Sequence, residues 1–242
     1  MDQDNHDVSL LISLAIAAAI VGVLIGFSLP AKPHTYSPML NSKFDYLTVV
    51  NEDNPYDFDG EYDQILKENL VYLPDVYGEA TLVEKSTARA FLELQHGLSE
   101  KGMLVGLLGG YRTREDQQYV YDYYSNLDGW AETNKILLPG YSEHHTGLLL
   151  NVLIWHQGPE DATPIWYTET AERQATIPDF KLLHETLADY GFIDRYPLGK
   201  EDITGVPSEP YEIRFVGSSK IAHEIMDQNL SLEEYVAQKS KK

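Results

Sequence analysis

The chain has 242 residues, with 38 Asp and Glu against 18 Lys and Arg, and a net charge of −20 at pH 7. Without a basic run, that balance excludes nucleic acid and acidic lipid headgroups as partners recognised by charge. The absence of cysteine excludes disulfides and thiolate metal sites.

Val8 to Leu29 spans 22 positions with no charged residue, enough as a helix to cross a bilayer core of about 30 Å. The segment before it carries Asp2, Asp4 and Asp7 and no Lys or Arg, unlike the basic start of a cleaved signal peptide. Residues 1–29 are therefore expected to be a retained, single-pass transmembrane anchor. Lys32, on the C-terminal side, is one vote for that side being cytoplasmic. Gly22-x-x-x-Gly26 has the small-residue spacing that pairs membrane helices, the expectation being a weak dimer. Pro30, Pro33 and Pro38 mark residues 30–43 as an extended linker. Residues 44–242 then form one domain, long enough for a substantial core.

Within that domain Tyr46 to Val50 is β-prone. Asn51 to Asp63 gathers six carboxylates. Asp57-Phe58-Asp59-Gly60 resembles the opening of a calcium loop, but the remaining EF-hand ligand positions are missing, and a solvated acidic loop is the expectation. Val83 to Leu98 has apolar residues at helical spacing, and Gly102 ends that helix. Met103 to Leu108 reads as a buried strand. Thr113 and Asp116 form a capping-box pattern opening a tyrosine-rich helix to about Leu127, on which Tyr119, Tyr123 and Tyr124 are assigned to core packing. Leu148 to Trp155 is a nearly unbroken apolar run, the pattern of a strand buried on both faces. Pro178 and Gly191 bracket a helix around Phe180 to Tyr190. Tyr211 to Val216 reads as a last strand with alternating side chains. A helix from about Ser218 and a short turn capped by Ser231 and Glu234 complete the chain. The order predicts an α+β fold, a small mixed or antiparallel sheet flanked by helices.

Three motifs carry chemistry. The first is Gly110-Tyr111-Arg112-Thr113 with Gln117. The second is Ser142-Glu143-His144-His145-Thr146-Gly147, followed by Asn151. The third is Glu209-Pro210-Tyr211-Glu212-Ile213-Arg214. In this order they resemble the D-Ala-D-Ala carboxypeptidases of the VanY type, whose patterns are G-Y-R-[ST]-x-x-x-Q, S-x-H-x-x-G-x-A-x-D and E-P-W-H-x-R. Tyr190-Gly191-Phe192-Ile193, Arg195-Tyr196-Pro197, Gly199-Lys200, Ile203-Thr204-Gly205, Arg214 and Gly217 extend the likeness, which runs from about Val49 to Tyr235.

The resemblance implies the D-Ala-D-Ala carboxypeptidase fold, zinc as cofactor, and the D-Ala-D-Ala terminus of the peptidoglycan stem peptide as partner. Because the family's substrate lies outside the cell, the resemblance also implies that the domain on the expected anchor faces outward at the cell membrane. Carried over residue by residue, His144 is a zinc ligand and Glu209 the general base. Arg112 holds substrate and steadies the developing negative oxygen, and Gln117 and Ser142 belong to the substrate pocket. Asn151 and Glu212 occupy the other two ligand positions, where the family has Asp and His.

An amide oxygen is neutral and a poor donor to zinc, whereas a carboxylate is a proper ligand. The formal charge of the set is unchanged, but a nitrogen donor is lost, and the oxygen-rich set suits harder, weaker-binding cations. Zinc is therefore expected to bind weakly or not at all. His145 is not expected to replace the missing donor, since neighbours on an extended segment point to opposite faces. Without a metal, Glu212 and Asn151 could bond His144 directly, and Glu209 and Glu212 would repel, raising the pKa of one. Leu149, Tyr211, Phe215 and Gly109 depart from the family's usual residues in the same regions. Three readings follow: a stem-peptide-directed domain with impaired or absent peptidase activity, an active metallo-carboxypeptidase with a His-Asn-Glu site, and a structural or partner-binding domain.

Overall fold

The computed structural model describes residues 40–126, 135–156 and 177–241. The expected anchor, residues 30–39 of the expected linker, and the Gly22 and Gly26 pair lie outside them. Among the described residues no helix is long and apolar enough to cross a membrane. Phe44 is the first buried residue along the described chain.

Helix α1 (Glu61–Asn69) leads directly into strand β1 (Leu70–Pro74), which pairs antiparallel with β2 (Ala80–Glu84). Helix α2 (Lys85–Glu100) follows without a loop, because the Glu84 carboxylate accepts from the backbone N–H groups of Ser86 and Thr87 and satisfies its first turn. Strand β3 (Met103–Gly109), helix α3 (Arg114–Ser125), a 3₁₀ turn (Glu143–Thr146) and β4 (Leu149–His156) come next. Helix α4 (Pro178–Leu187) runs through a 3₁₀ turn (Ala188–Tyr190) to β5 (Phe192–Asp194). The short α5 (Glu201–Thr204), β6 (Glu212–Phe215), α6 (Ser219–Met226) and α7 (Leu232–Lys239) finish the domain.

The main sheet is four-stranded, in the order β3-β4-β6-β5, and every pairing is antiparallel. The expected α+β class is borne out, with antiparallel sheets flanked by helices. Strand β4 is central, and the alternation of its side chains divides its work. Leu148, Leu150, Val152 and Ile154 enter the main core with Phe91, Leu94 and Leu98 of α2. Leu149 and Asn151, on the opposite face, look into a cleft. A second cluster joins Ile193 and Val216 to Ala222, Ile225, Leu232 and Tyr235 beneath α6 and α7.

Several elements differ from expectation. Residues 46–50 form no strand; Tyr46 and Val50 are buried as anchors of an irregular segment. The acidic stretch is not all loop, since Asp57 accepts from the Asp59 N–H and precedes α1. Neither α1 nor the β1–β2 hairpin was legible in the pattern. Helix α3 has its Thr113–Asp116 capping box, but it ends at Ser125, and its tyrosines are not core: Tyr119 is 70% and Tyr123 52% exposed, with Tyr124 half-buried. Strand β6 is buried at all four positions instead of alternating, because helices and the cleft wall cover both faces. Ser231 and Glu234 form a true capping box, opening an eight-residue helix and not merely a turn.

Candidate functional site

All seven residues singled out from the sequence line one cleft of about 430 Å³. Arg112 and Gln117 come from the start of α3, Ser142 and His144 from the 3₁₀ turn, and Asn151 from β4. Glu209 and Glu212 come from the turn entering β6. Asn151 and Glu212 are register partners across β4 and β6, which puts their side chains side by side on one face. On its other flank Asn151 pairs with Gly109, where a register shift interrupts β3.

The turn that carries His144 is tightly specified. Ser142 caps it by accepting from the His144 N–H, and Gly147 closes it at φ +70°. A Cβ on Gly147 would stand 2.9 Å from Leu66 Cδ1. The Gly147 carbonyl accepts from the Glu84 N–H, and the Leu82 carbonyl accepts from the Tyr111 N–H, so β2 holds both motif-bearing loops in place. The Arg112 N–H donates to the His144 carbonyl and joins the two loops directly.

Each histidine has a defined state. His144 Nδ1 lies 2.6 Å from the Gly110 carbonyl, which can only accept, so Nδ1 carries the proton and Nε2 presents a lone pair. Burial, followed by the charge on Arg112, lowers its pKa, and the ring is neutral at neutral pH. His145 donates through Nδ1 to the Arg112 carbonyl at 2.8 Å and accepts through Nε2 from the Gly140 N–H at 3.0 Å. Both its nitrogens are engaged, and burial pushes its pKa down to about 4. His145 lies on a 3₁₀ turn, not the extended segment expected, and its two hydrogen bonds hold its ring between the Arg112 carbonyl and the Gly140 N–H.

His144 Nε2 and Asn151 Oδ1 are both buried without a hydrogen-bond partner. Glu212 Oε1 stands 3.4 Å from Nε2, and with the ring proton on Nδ1 neither Nε2 nor the carboxylate has a hydrogen to donate. Two ligands about 2.1 Å from a tetrahedral metal are themselves separated by about 3.4 Å. The spacing and the two orphaned acceptors therefore fit a divalent cation held by His144, Asn151 and Glu212. The donor chemistry fits zinc less well. Among the described residues no group of three His, Cys, Asp or Glu forms a metal site, because an amide takes the third corner.

Glu209 sits beside Glu212, and burial followed by that neighbouring charge raises its pKa well above the carboxylate range. Arg112 Nη1 donates to Gln117 Oε1 at 3.1 Å, and Gln117 Nε2 donates to the Leu137 carbonyl at 2.7 Å. Gln117 therefore steers the guanidinium as well as lining the cleft.

Beneath the cleft lies a network that sequence reasoning missed. Glu143 is fully buried and bridges Arg195 Nη2 at 3.0 Å and Arg214 Nε at 2.7 Å, while also accepting from the Val50 N–H. Arg195 reaches on to Glu233 at 2.7 Å. Burial opposes ionisation of Glu143, but the two guanidinium groups outweigh it and hold its pKa below the usual range. A signal existed: Glu143 adjoins His144, and both arginines interrupt apolar stretches at Phe192-Ile193-Asp194-Arg195 and Ile213-Arg214-Phe215. Tyr77, Tyr196 and Val206 also line the cleft; Tyr196 lies in the Arg195-Tyr196-Pro197 stretch of the likeness, and nothing in the local sequence marked the other two.

An antiparallel α+β domain with this cleft, and three motifs converging on a His-centred seat, defines a domain of the zinc-peptidase type. The sequence model of VanY, D-alanyl-D-alanine carboxypeptidase, matches residues 80–218, more than half of the chain, and the chain belongs to that family. It is 34% identical over 132 residues to the bifunctional D-Ala-D-Ala dipeptidase and D-Ala-D-Ala carboxypeptidase VanXYC of Enterococcus gallinarum, covering 54% of this chain and 65% of that protein. A mutant of the vancomycin-resistance D,D-pentapeptidase VanY from a VanB-type cassette, solved with Zn(II), superposes with TM-score 0.59 at 28% identity, covering 79% of this chain and 98% of that one. The LdcB LD-carboxypeptidase, described for its recognition of peptidoglycan, gives TM-score 0.62 at 29% identity over 79% of this chain and 86% of that one. The chain spans between 44% and 65% of the length of the curated relatives it matches.

Proposed function

We propose that this chain is a membrane-anchored, extracytoplasmic domain, residues 44–242 on the 1–29 anchor and 30–43 linker, that holds D-Ala-terminated stem peptides of peptidoglycan. Its zinc-dependent peptidase activity is impaired or absent. The observation that carries this reading is the cleft itself, which keeps every motif position while two of its three donor positions have changed chemistry. The relatives act on peptides of this class, among them D-Ala-D-Ala termini and LD-carboxypeptidase substrates.

In this reading Arg112, steered by Gln117, takes the terminal carboxylate of the peptide, since a guanidinium stays charged and forks towards two oxygens. Ser142 lines the wall beside it, and Leu149 and Tyr211 narrow the apolar part of the cleft. Glu209, whose pKa is raised by burial and by the neighbouring Glu212 charge, lines the cleft beside Glu212. A divalent cation, when bound by His144, Asn151 and Glu212, would supply Lewis-acid polarisation of the peptide carbonyl. A second reading, a working metallo-carboxypeptidase, is supported by the 3.4 Å spacing of His144 and Glu212 and by the two unpartnered acceptors.

The test is calorimetric titration of the purified domain, beginning after Leu29, with zinc and with a stem pentapeptide, alongside an assay for released D-Ala. Pentapeptide bound, with weak zinc and no release, supports the first reading. Stoichiometric sub-micromolar zinc, lost in His144→Ala, together with release supports the second. Neither zinc nor peptide leaves a structural or partner-binding domain.

A further inference from the structure

The turn from Glu209 to Glu212 presents two carboxylates to the cleft, and its four carbonyls must be met elsewhere. Three of them accept from backbone N–H groups: Glu209 from Glu212 at 2.9 Å, Tyr211 from Val152 at 2.9 Å, and Glu212 from Arg195 at 3.1 Å. The fourth, on Pro210, accepts from a side chain, His184 Nε2 at 3.1 Å. Because that carbonyl can only accept, Nε2 carries the proton. His184 stands outside the cleft, on α4, a helix that packs against β4 and β5.

A second acceptor faces the same proton. Asp194 Oδ1 lies 3.2 Å from His184 Nε2 and is buried without a hydrogen-bond partner. Burial pushes the Asp194 carboxyl up from the ordinary range, against the pull of His184. Asp194 ends β5 after the buried Phe192 and Ile193, and it pairs across the sheet with Ile213, the neighbour of Glu212. In the stretch from Tyr190 to Pro197 it is the one residue outside the likeness to the carboxypeptidase family. An apolar side chain would suit that strand position better, since a carboxylate loses hydration there and gains no full hydrogen bond. A local rule broken at such a cost marks function more often than fold. The carboxylate orients the imidazole: its negative charge attracts the Nε2–H edge and keeps that edge against the turn.

We propose that His184, oriented by Asp194, is a positioning residue of the cleft, whose bond to the Pro210 carbonyl sets where Glu209 and Glu212 stand. It touches neither cation nor peptide and acts through the turn. Glu212 is one corner of the seat formed with His144 and Asn151, so a turn released at Pro210 loosens that corner. The assignment rests on the reading of those three residues as a cation seat.

The experiment compares the full-length parent with His184→Leu, His184→Gln and Asp194→Asn in detergent micelles. The zinc dissociation constant is read by competition with a chromophoric chelator. Amide hydrogen exchange of residues 209–216 is read in the metal-free proteins by mass spectrometry. His184→Leu, without a donor, should weaken zinc binding and speed exchange of the turn by about tenfold each, the scale of one lost hydrogen bond. His184→Gln keeps an N–H donor for Pro210 and should recover most of both losses, which a role in packing alone does not predict. Asp194→Asn keeps the shape, removes the charge, and should shift both readouts in the direction of His184→Leu. Zinc affinity or exchange unchanged in His184→Leu overturns the proposal, as does a His184→Gln variant no better than His184→Leu. Circular dichroism checks folding; if His184→Leu does not fold, unchanged values in Asp194→Asn overturn the proposal. A parent that binds no zinc overturns the cation seat instead, and exchange of the turn alone then decides the role of His184.

Discussion

Asn151 presents a neutral amide oxygen and Glu212 a carboxylate, side by side across two strands, to the lone pair of His144. Restoring the family's donors tests what those two residues cost. Asn151→Asp with Glu212→His is expected to tighten zinc binding by about tenfold or more, read by competition with a chromophoric chelator. If zinc binds the double variant no better than the parent, these positions do not correspond to the family's ligands. Glu143 acts differently, beneath the site. Glu143→Gln leaves Arg214 buried without its anion and Arg195 with Glu233 alone, and should cost about 3–5 kcal/mol in urea unfolding. Because its pKa is depressed in the folded state, Glu143 stabilises fully above the ordinary carboxylate range, and that contribution is lost as pH falls through the depressed value. A stability profile from pH 7 to pH 3 should therefore fall steeply in the parent and less steeply in Glu143→Gln.

At the scale of elements, β4 and α3 each owe their role to having two faces. The apolar run from Leu148 to Trp155 announced a buried strand, and its alternation places Leu149 and Asn151 in the cleft while Leu150 and Val152 enter the core. Helix α3 could be read from its capping box, but which face its tyrosines occupied could not, because a tyrosine stripe serves core and surface equally well. The hairpin β1–β2 had little apolar contrast, with only Val83 and Glu84 buried in β2 and none in β1. Its importance is nonetheless direct, since it carries the backbone bonds to Gly147 and Tyr111. Gly147→Ala should expose that coupling. A Cβ at φ +70° and 2.9 Å from Leu66 is strained and crowded, and a loss of about 1–3 kcal/mol in thermal or urea unfolding is expected.

For the whole molecule, the uncharged run from Val8 to Leu29 and the strongly acidic remainder predict a protein that partitions by its N-terminus alone. Deleting residues through Leu29 should move the chain from the membrane pellet to the supernatant after cell fractionation. The far-UV circular dichroism of the remaining domain should match that of a folded α+β protein. A deleted chain still found in the pellet would show that another part of it holds the membrane. A full-length chain found in the supernatant would refute the anchor.

The sequence by itself determined the α+β class and a buried strand at Leu148 to Trp155, because apolar periodicity is local and survives without coordinates, and its resemblance to the VanY-type carboxypeptidases pointed to the seven residues that line the cleft. It also showed that two donors had changed, since residue type sets ligand chemistry. Only the tertiary structure decided how those residues meet. It aimed the His144 Nε2 lone pair into the cleft through a bond to Gly110, thirty-four positions away in the chain. It placed Asn151 beside Glu212 through strand register and put Glu143 between two buried arginines. Each of these depends on contacts between distant segments, and no local pattern encodes which distant partner a charged or polar side chain will find.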